Sequence, residues 1–130
     1  MIDVDDFKRF NDRHGHPAGD FALQNISNLL RKCARISDVL ARYGGEEFAV
    51  ILPESTPAGA LMFAERIKLE VAERNFIQNA EDPEHLTVSI GIYSSENGDV
   101  TEDQIVSLAD EASYIAKTAG KNQVVVKASF

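Results

Sequence analysis

Three acidic side chains, Asp3, Glu46 and Glu47, are placed to do metal-assisted chemistry in this sequence. Glu46 and Glu47 belong to the run Gly44-Gly45-Glu46-Glu47-Phe48, between the strand-like stretches Val39–Tyr43 and Phe48–Leu52. A Gly-Gly pair between β-like runs predicts a hairpin turn, because glycine takes φ > 0 without steric cost. Glycine also admits another molecule close to the backbone. Carboxylates on the rim of such a hairpin suit a hard cation such as Mg²⁺, which prefers oxygen ligands and leaves positions for substrate phosphates. Asp3 ends the first strand-like run and can share that cation with Glu46 if the two strands are neighbours. A solvated acidic turn is the plain alternative for the pentapeptide by itself.

Other residues add to this picture. Asp6 and Phe7 begin a helix, whose free N–H groups attract phosphate, and Lys8 lies one turn in. Asn11 and Asp20 offer an amide and a carboxylate, a pair able to read a guanine edge, although helix capping competes for both. Lys117 and Lys121 lie four apart at a helix C-terminus, where they also complement the macrodipole. Arg35 and Asp38 can form a surface ion pair. His14, His16 and His85 have no metal-ligand spacing.

The elements that must hold these groups follow from periodicity. Met1–Val4 reads as the end of a strand, and Asp5 as an N-cap for a short helix that stops at Gly15. A second helix from Pro17 carries the stripe Ala22, Ile26, Leu29, Leu30 and Cys33. After the hairpin, Ser55 or Thr56 caps a long helix with Ala60, Ala64, Ile67 and Val71 on its apolar face. The polar stretch Asn75 to Glu84 is expected to be a loop. Leu86, Val88, Ile90 and Ile92 alternate with polar or small residues and predict a strand with one buried face. Thr101 caps the last helix, Gly120 ends it, and Asn122–Lys127 closes the chain as a strand. The order β-α-α-β-β-α-β-α-β predicts an α+β sandwich: a mostly antiparallel sheet of about five strands covered by helices.

With 130 residues, the chain is long enough for one domain with a real core. A formal net charge of −8 argues against a broad basic face for nucleic acid or an anionic membrane. The single cysteine, Cys33, precludes an internal disulfide and fits a reducing compartment. No apolar run is long enough to span a bilayer, and no signal peptide is evident.

Taken together, the residues resemble the GGDEF family, the diguanylate cyclases. The matching elements are Asp3-Val4-Asp5-Asp6-Phe7-Lys8, Asn11-Asp12, Gly15-His16, Gly19-Asp20, Arg42-Tyr43-Gly44-Gly45-Glu46-Glu47-Phe48, Thr87-Val88-Ser89-Ile90-Gly91, Ala109-Asp110-Glu111-Ala112, Ala116-Lys117 and Gly120-Lys121-Asn122. They occur in the family's order along nearly the whole chain. The resemblance implies a palm-like, nucleotide cyclase-like sheet. It also implies condensation of two GTP into cyclic di-GMP and two pyrophosphates, in a homodimer, in the cytoplasm. By the same resemblance Asp3, the Val4 carbonyl and Glu46 hold Mg²⁺ (or Mn²⁺ in its place). Glu47 deprotonates or orients the ribose 3′-OH. Asn11 and Asp20 hold guanine beside Gly44 and Gly45. Lys8, Lys117 and Lys121 hold phosphates with the Asp6 and Phe7 amides. The Arg-x-x-Asp of Arg35 and Asp38, completed by Arg66, stands where the family binds cyclic di-GMP as a feedback inhibitor.

Three departures accompany the resemblance. The family's N-terminal helix with its Asn-Arg-Arg run has no counterpart before Met1. The chain is therefore expected to be one shortened GGDEF domain over residues 1–130, with a sensory or dimerisation domain upstream in a longer protein. Lys121 stands where arginine is more usual and loses the bidentate fork. Ser113 replaces a larger apolar residue. A catalytically silent receptor for cyclic di-GMP or GTP is the alternative reading, and a different nucleotide cyclase on the same palm is a weaker third.

Overall fold

The structure is a computed structural model that describes residues 1–77, 84–98 and 100–129. It contains β1 (Ile2–Val4), α1 (Phe7–His14), α2 (His16–Cys33), β2 (Val39–Arg42), β3 (Glu47–Ile51), α3 (Pro57–Glu73), β4 (Val88–Ser95), α4 (Glu102–Thr118) and β5 (Val124–Ser129). This is the order read from the sequence. The loop expected at 75–84 lies partly outside the described residues, at 78–83. The strands form one sheet in the order β2-β3-β1-β4-β5. The pairs β2–β3, β3–β1 and β1–β4 are antiparallel, and β4–β5 is parallel. The parallel pair follows from α4, which carries the chain back across the sheet between β4 and β5.

Register sorts the side chains between two layers. Ile2 pairs with Phe48 and Ile90, and these residues join Ile26 and Leu30 of α2 and Ile67 and Val71 of α3 in the main core. Asp3 pairs with Glu47 and Ser89, so that row faces the other way, toward α4. Gly91 lies in the same layer. A Cβ there would come within 2.7 Å of the Ala112 carbonyl carbon and closer still to Ser113 N and Ala109 O. The helix therefore rests directly on the strand, and Ser113 is buried at the contact. In place of a larger apolar side chain, it leaves α4 close to β4.

Local signals held where they were self-contained. Thr101 accepts from Gln104 N, and Gln104 Oε1 returns to Thr101 N, a reciprocal cap. Thr56 rather than Ser55 caps α3, accepting from Gly59 N at 3.1 Å. Ala119 ends α4, with Gly120 following at φ 126. Asp5 does not cap α1: that position belongs to Asp6, at φ 52 and without a side-chain cap bond.

Asp5 is instead buried and accepts from Thr87 Oγ1 (2.8 Å), Ser89 Oγ (2.6 Å) and Asn122 N (3.1 Å). It joins the end of β1 to β4 and to the turn before β5. Asp5→Ala leaves these donors without their acceptor and is expected to cost about 2–4 kcal/mol. Urea unfolding measures this, and a change below about 0.5 kcal/mol would show that the cluster adds no net stability.

Candidate active site

The hairpin tip is shaped by its neighbours. Tyr43 N and Gly44 N donate to the Glu47 carbonyl at 2.9 and 3.3 Å, and Arg42 wraps the turn, donating to Gly44 O at 3.3 Å and Gly45 O at 2.7 Å. Neither Gly44 nor Gly45 adopts positive φ, unlike the hairpin turn expected from a Gly-Gly pair. What they supply is space. A Cβ on Gly45 would meet nothing within 4 Å, and one on Gly44 would lie 3.3 Å from Glu47 Oε2. The backbone at the tip is therefore open to approach.

The ladder places Glu47 directly across from Asp3, whereas Glu46 meets Val4 through its backbone, accepting from Val4 N at 3.1 Å. The carboxylate brought beside Asp3 is thus that of Glu47. Lys117 Nζ reaches Asp3 Oδ2 at 2.5 Å from α4. Asp3 Oδ1 is buried with no hydrogen-bond donor. Burial, the hydrogen bond with Asp3 and the like charges of Asp3 and Asp110 push the Glu47 carboxyl above the ordinary carboxylate range, with Lys117 opposing. Among the described residues no three His, Cys, Asp or Glu side chains gather tightly enough to enclose a metal by themselves. A cation here would draw its remaining ligands from backbone carbonyls and phosphate oxygens, as Mg²⁺ commonly does.

The second lysine sits in the turn between α4 and β5. Lys121 and Asn122 both take left-handed φ, 63° and 49°. This turn aims Lys121 Nζ at Asp6 Oδ1, 2.7 Å away at the start of α1. The bond lowers the Asp6 carboxyl below, and raises the Lys121 ammonium above, its ordinary value. Lys8 is exposed and Phe7 buried on that first turn. Asp3, Lys117, Asp6 and Lys121 thus alternate in sign along the end of β1.

Asp20 lines a cavity of about 580 Å³ between α2 and the hairpin, with Gln24, Arg31, Arg42 and Phe48. Asn11 packs against Gly19, where a Cβ would fall 2.8 Å from its Cγ, and its Oδ1 is buried without a donor. Asn11 thus packs against the residue that precedes Asp20, and Asn11 itself is not part of the cavity that Asp20 lines.

Arg35, Asp38 and Arg66 line a separate cavity of about 390 Å³ with Cys33, which is half-buried against the core. Arg35 donates to Asp38 Oδ1 through Nε (3.2 Å) and Nη2 (3.0 Å), and Nη2 also reaches Pro53 O and Ser55 Oγ at 2.9 Å each. Arg66 bonds Glu70 at 3.0 Å.

Sequence reasoning passed over Asp110, whose charge acts on Glu47. Its signal was available: it lies two helical turns before Lys117, on the same face of α4. The part played by Arg42 was not legible, since nothing local marks an arginine that will bond the turn following it.

A five-stranded sheet with a facing acidic pair, basic groups from α4 and the turn after it, and a polar cavity beside the hairpin defines a cyclase-like domain. Solved structures share this architecture. The active GGEEF domain of a diguanylate cyclase from Vibrio cholerae superposes with a TM-score of 0.89 at 33% identity, covering 96% of this chain and 78% of that one. The GGDEF domain of DgcB from Caulobacter crescentus, in complex with c-di-GMP, gives 0.89 at 32%, covering 96% and 74%. Diguanylate cyclase A of Treponema denticola is 41% identical over 127 residues, 97% of this chain and 34% of that protein. Response regulator PleD of Caulobacter vibrioides is 39% identical over 130 residues, 99% and 29%. The chain spans about a third of the length of these curated relatives. The model of the diguanylate cyclase GGDEF domain matches residues 1–123, and the chain belongs to the GGDEF domain family. Among the described residues no helix is long and apolar enough to cross a membrane.

Proposed function

We propose that this domain condenses two GTP into cyclic di-GMP and two pyrophosphates, as a two-fold homodimer in the cytoplasm. The facing pair Asp3–Glu47, with Lys117 in contact, carries the reading. The hard oxygen donors and the buried, donor-free Asp3 Oδ1 fit Mg²⁺ or Mn²⁺. Asp3, Glu46 and the Val4 carbonyl would hold the cation, with Glu47 across the ladder from Asp3 beside them. When bound, the cation neutralises charge on the triphosphate and on the leaving pyrophosphate.

The chain's own groups do the rest. Lys117, Lys121 and Lys8, with the first amides of α1, take phosphate oxygens, so Lys121 must leave Asp6. Asp20 and Asn11 orient guanine. In each direction a 3′-oxygen bonds to the opposite α-phosphorus as the bond to pyrophosphate breaks. Glu47, with its raised affinity for a proton, is suited to accept the 3′-OH proton. Two half-sites must face each other, since each domain holds one GTP.

Incubation with GTP and Mg²⁺, followed by chromatography, tests the reading. Cyclic di-GMP is expected from the parent and is lost in Asp3→Asn. A 3′,5′-cyclic mononucleotide, or tight nucleotide binding without turnover, would overturn it.

Product inhibition belongs to the same proposal. Arg35, with Asp38 and Arg66 beside it, offers guanidinium groups for phosphate and a flat face for guanine. Arg35→Ala is expected to weaken inhibition by cyclic di-GMP about tenfold or more while turnover at low product is kept. An unchanged inhibition constant would remove this cavity from the account.

A further inference from the structure

The cavity beside the hairpin holds a second uncommitted polar side chain next to Asp20. Asp20 and Gln24 stand four residues apart on α2, on one face of the helix, with Cβ atoms about 6 Å apart, and both line the cavity of about 580 Å³. Leu23 and Phe48 give it apolar walls. Asn11 lines no part of it and packs instead against Gly19.

Two cations also line this cavity, and both are engaged. Arg42 donates to Gly44 O and Gly45 O, and Arg31 donates to Asn28 Oδ1 at 3.1 Å. Among the described residues, neither the Asp20 carboxylate nor the Gln24 side-chain amide has a hydrogen-bonding or ionic partner. An acceptor and a donor therefore stand side by side, at a spacing comparable with one edge of a purine. The edge of guanine carries donors at N1 and N2 and an acceptor at O6. A carboxylate accepts from the two donors but repels O6, which needs a donor of its own. Inside this cavity the uncommitted side chain that can supply one beside Asp20 is Gln24.

We propose that Gln24 reads position 6 of the base, donating from its side-chain amide to guanine O6 while Asp20 accepts from N1 and N2. This assignment rests on GTP being the substrate. The two residues divide the recognition. Asp20 rejects adenine, whose N1 is an acceptor, whereas the amide could turn its oxygen to the adenine N6 amine. Gln24 thus adds affinity through O6, and the choice of guanine over adenine stays with Asp20.

Equilibrium dialysis of α,β-methylene triphosphates, which bind without transfer, tests the proposal with guanine, adenine and 2-aminopurine as the base. Gln24→Ala is expected to weaken the guanine analogue about tenfold and to leave the 2-aminopurine analogue, which has no O6, within about twofold. Near pH ~8, Gln24→Glu sets an ionised carboxylate against O6. It is expected to weaken the guanine analogue about a hundredfold and not to weaken the adenine analogue, whose N6 amine donates. Gln24 is exposed on α2, and alanine and glutamate both continue a helix, so the fold is kept. Unchanged guanine binding in Gln24→Ala, or equal losses for guanine and 2-aminopurine, overturns the O6 contact while the role of Asp20 stands. A parent that binds the guanine and adenine analogues alike overturns both.

Discussion

Glu47→Gln is expected to reduce cyclic di-GMP formation by about 10³-fold or more, while the folded domain becomes no less stable and, near neutral pH, more so. The two effects share one cause. Glu47 faces Asp3 across the β1–β3 ladder, and its carboxyl is held above the ordinary range by burial and by that neighbour. The folded chain therefore holds the Glu47 proton more tightly than the unfolded chain does. Stability from this group is full below its unfolded value of 4.5 and is lost as pH rises through the higher folded value. Glutamine keeps the shape and the hydrogen-bonding capacity beside Asp3 but cannot ionise. Urea midpoints of parent and variant should agree near pH ~4 and separate near pH ~7, with the variant higher. Turnover should be lost in the variant across that range, since it can neither take the 3′-OH proton nor offer the cation a charged oxygen. A variant retaining more than about a tenth of parental turnover would remove Glu47 from the mechanism.

Gly91→Ala is the second large effect, and it acts through packing. The added methyl would fall 2.7 Å from the Ala112 carbonyl carbon and nearer to Ser113 N and Ala109 O, all backbone atoms of α4. No side-chain rotation relieves that overlap, so the helix itself must move away from β4. A cost of about 3 kcal/mol or more is expected, lowering Tm by roughly 10 °C. The displaced helix carries Lys117, which reaches Asp3 from its last turn. Turnover in the residual folded protein should fall as well. Gly45→Ala is the contrast, because no atom lies within 4 Å of that Cβ position. Its stability should stay within about 0.5 kcal/mol of the parent. A Gly91→Ala variant as stable as Gly45→Ala would show that α4 can shift freely over the sheet.

The reading of the sequence went furthest where a signal was contained in a few consecutive residues. Alternation along Val88–Ile92 places that strand, and the i, i+3 pair Thr101 and Gln104 marks the start of α4. The apolar stripes of α2 and α3 name the buried residues Ile26, Leu29, Leu30, Ile67 and Val71. The order of the run from Asp3 to Asn122 identifies the family with no coordinates at all. Less legible was anything that depends on which residue meets which across strands. Both Glu46 and Glu47 stand near Asp3 in the sequence reading, and only register parity decides that Glu47 is the one directly across the ladder from it. A shift of one residue exchanges the faces of a strand, and no local pattern distinguishes two adjacent glutamates at a hairpin rim.

The chain's residues, taken alone, determined the element order, the reciprocal cap that starts α4 and the inventory of acids, lysines and glycines, because propensity, capping and periodicity act within a turn or two. Only the folded structure decided how that inventory is used: Asp5 is drawn into Thr87, Ser89 and Asn122, Lys121 is turned onto Asp6, and Glu47 is set against Asp3. Those contacts join segments far apart in the chain, and their geometry follows from sheet register and from the closeness of α4 over Gly91, which are properties of packing between elements rather than of any one of them.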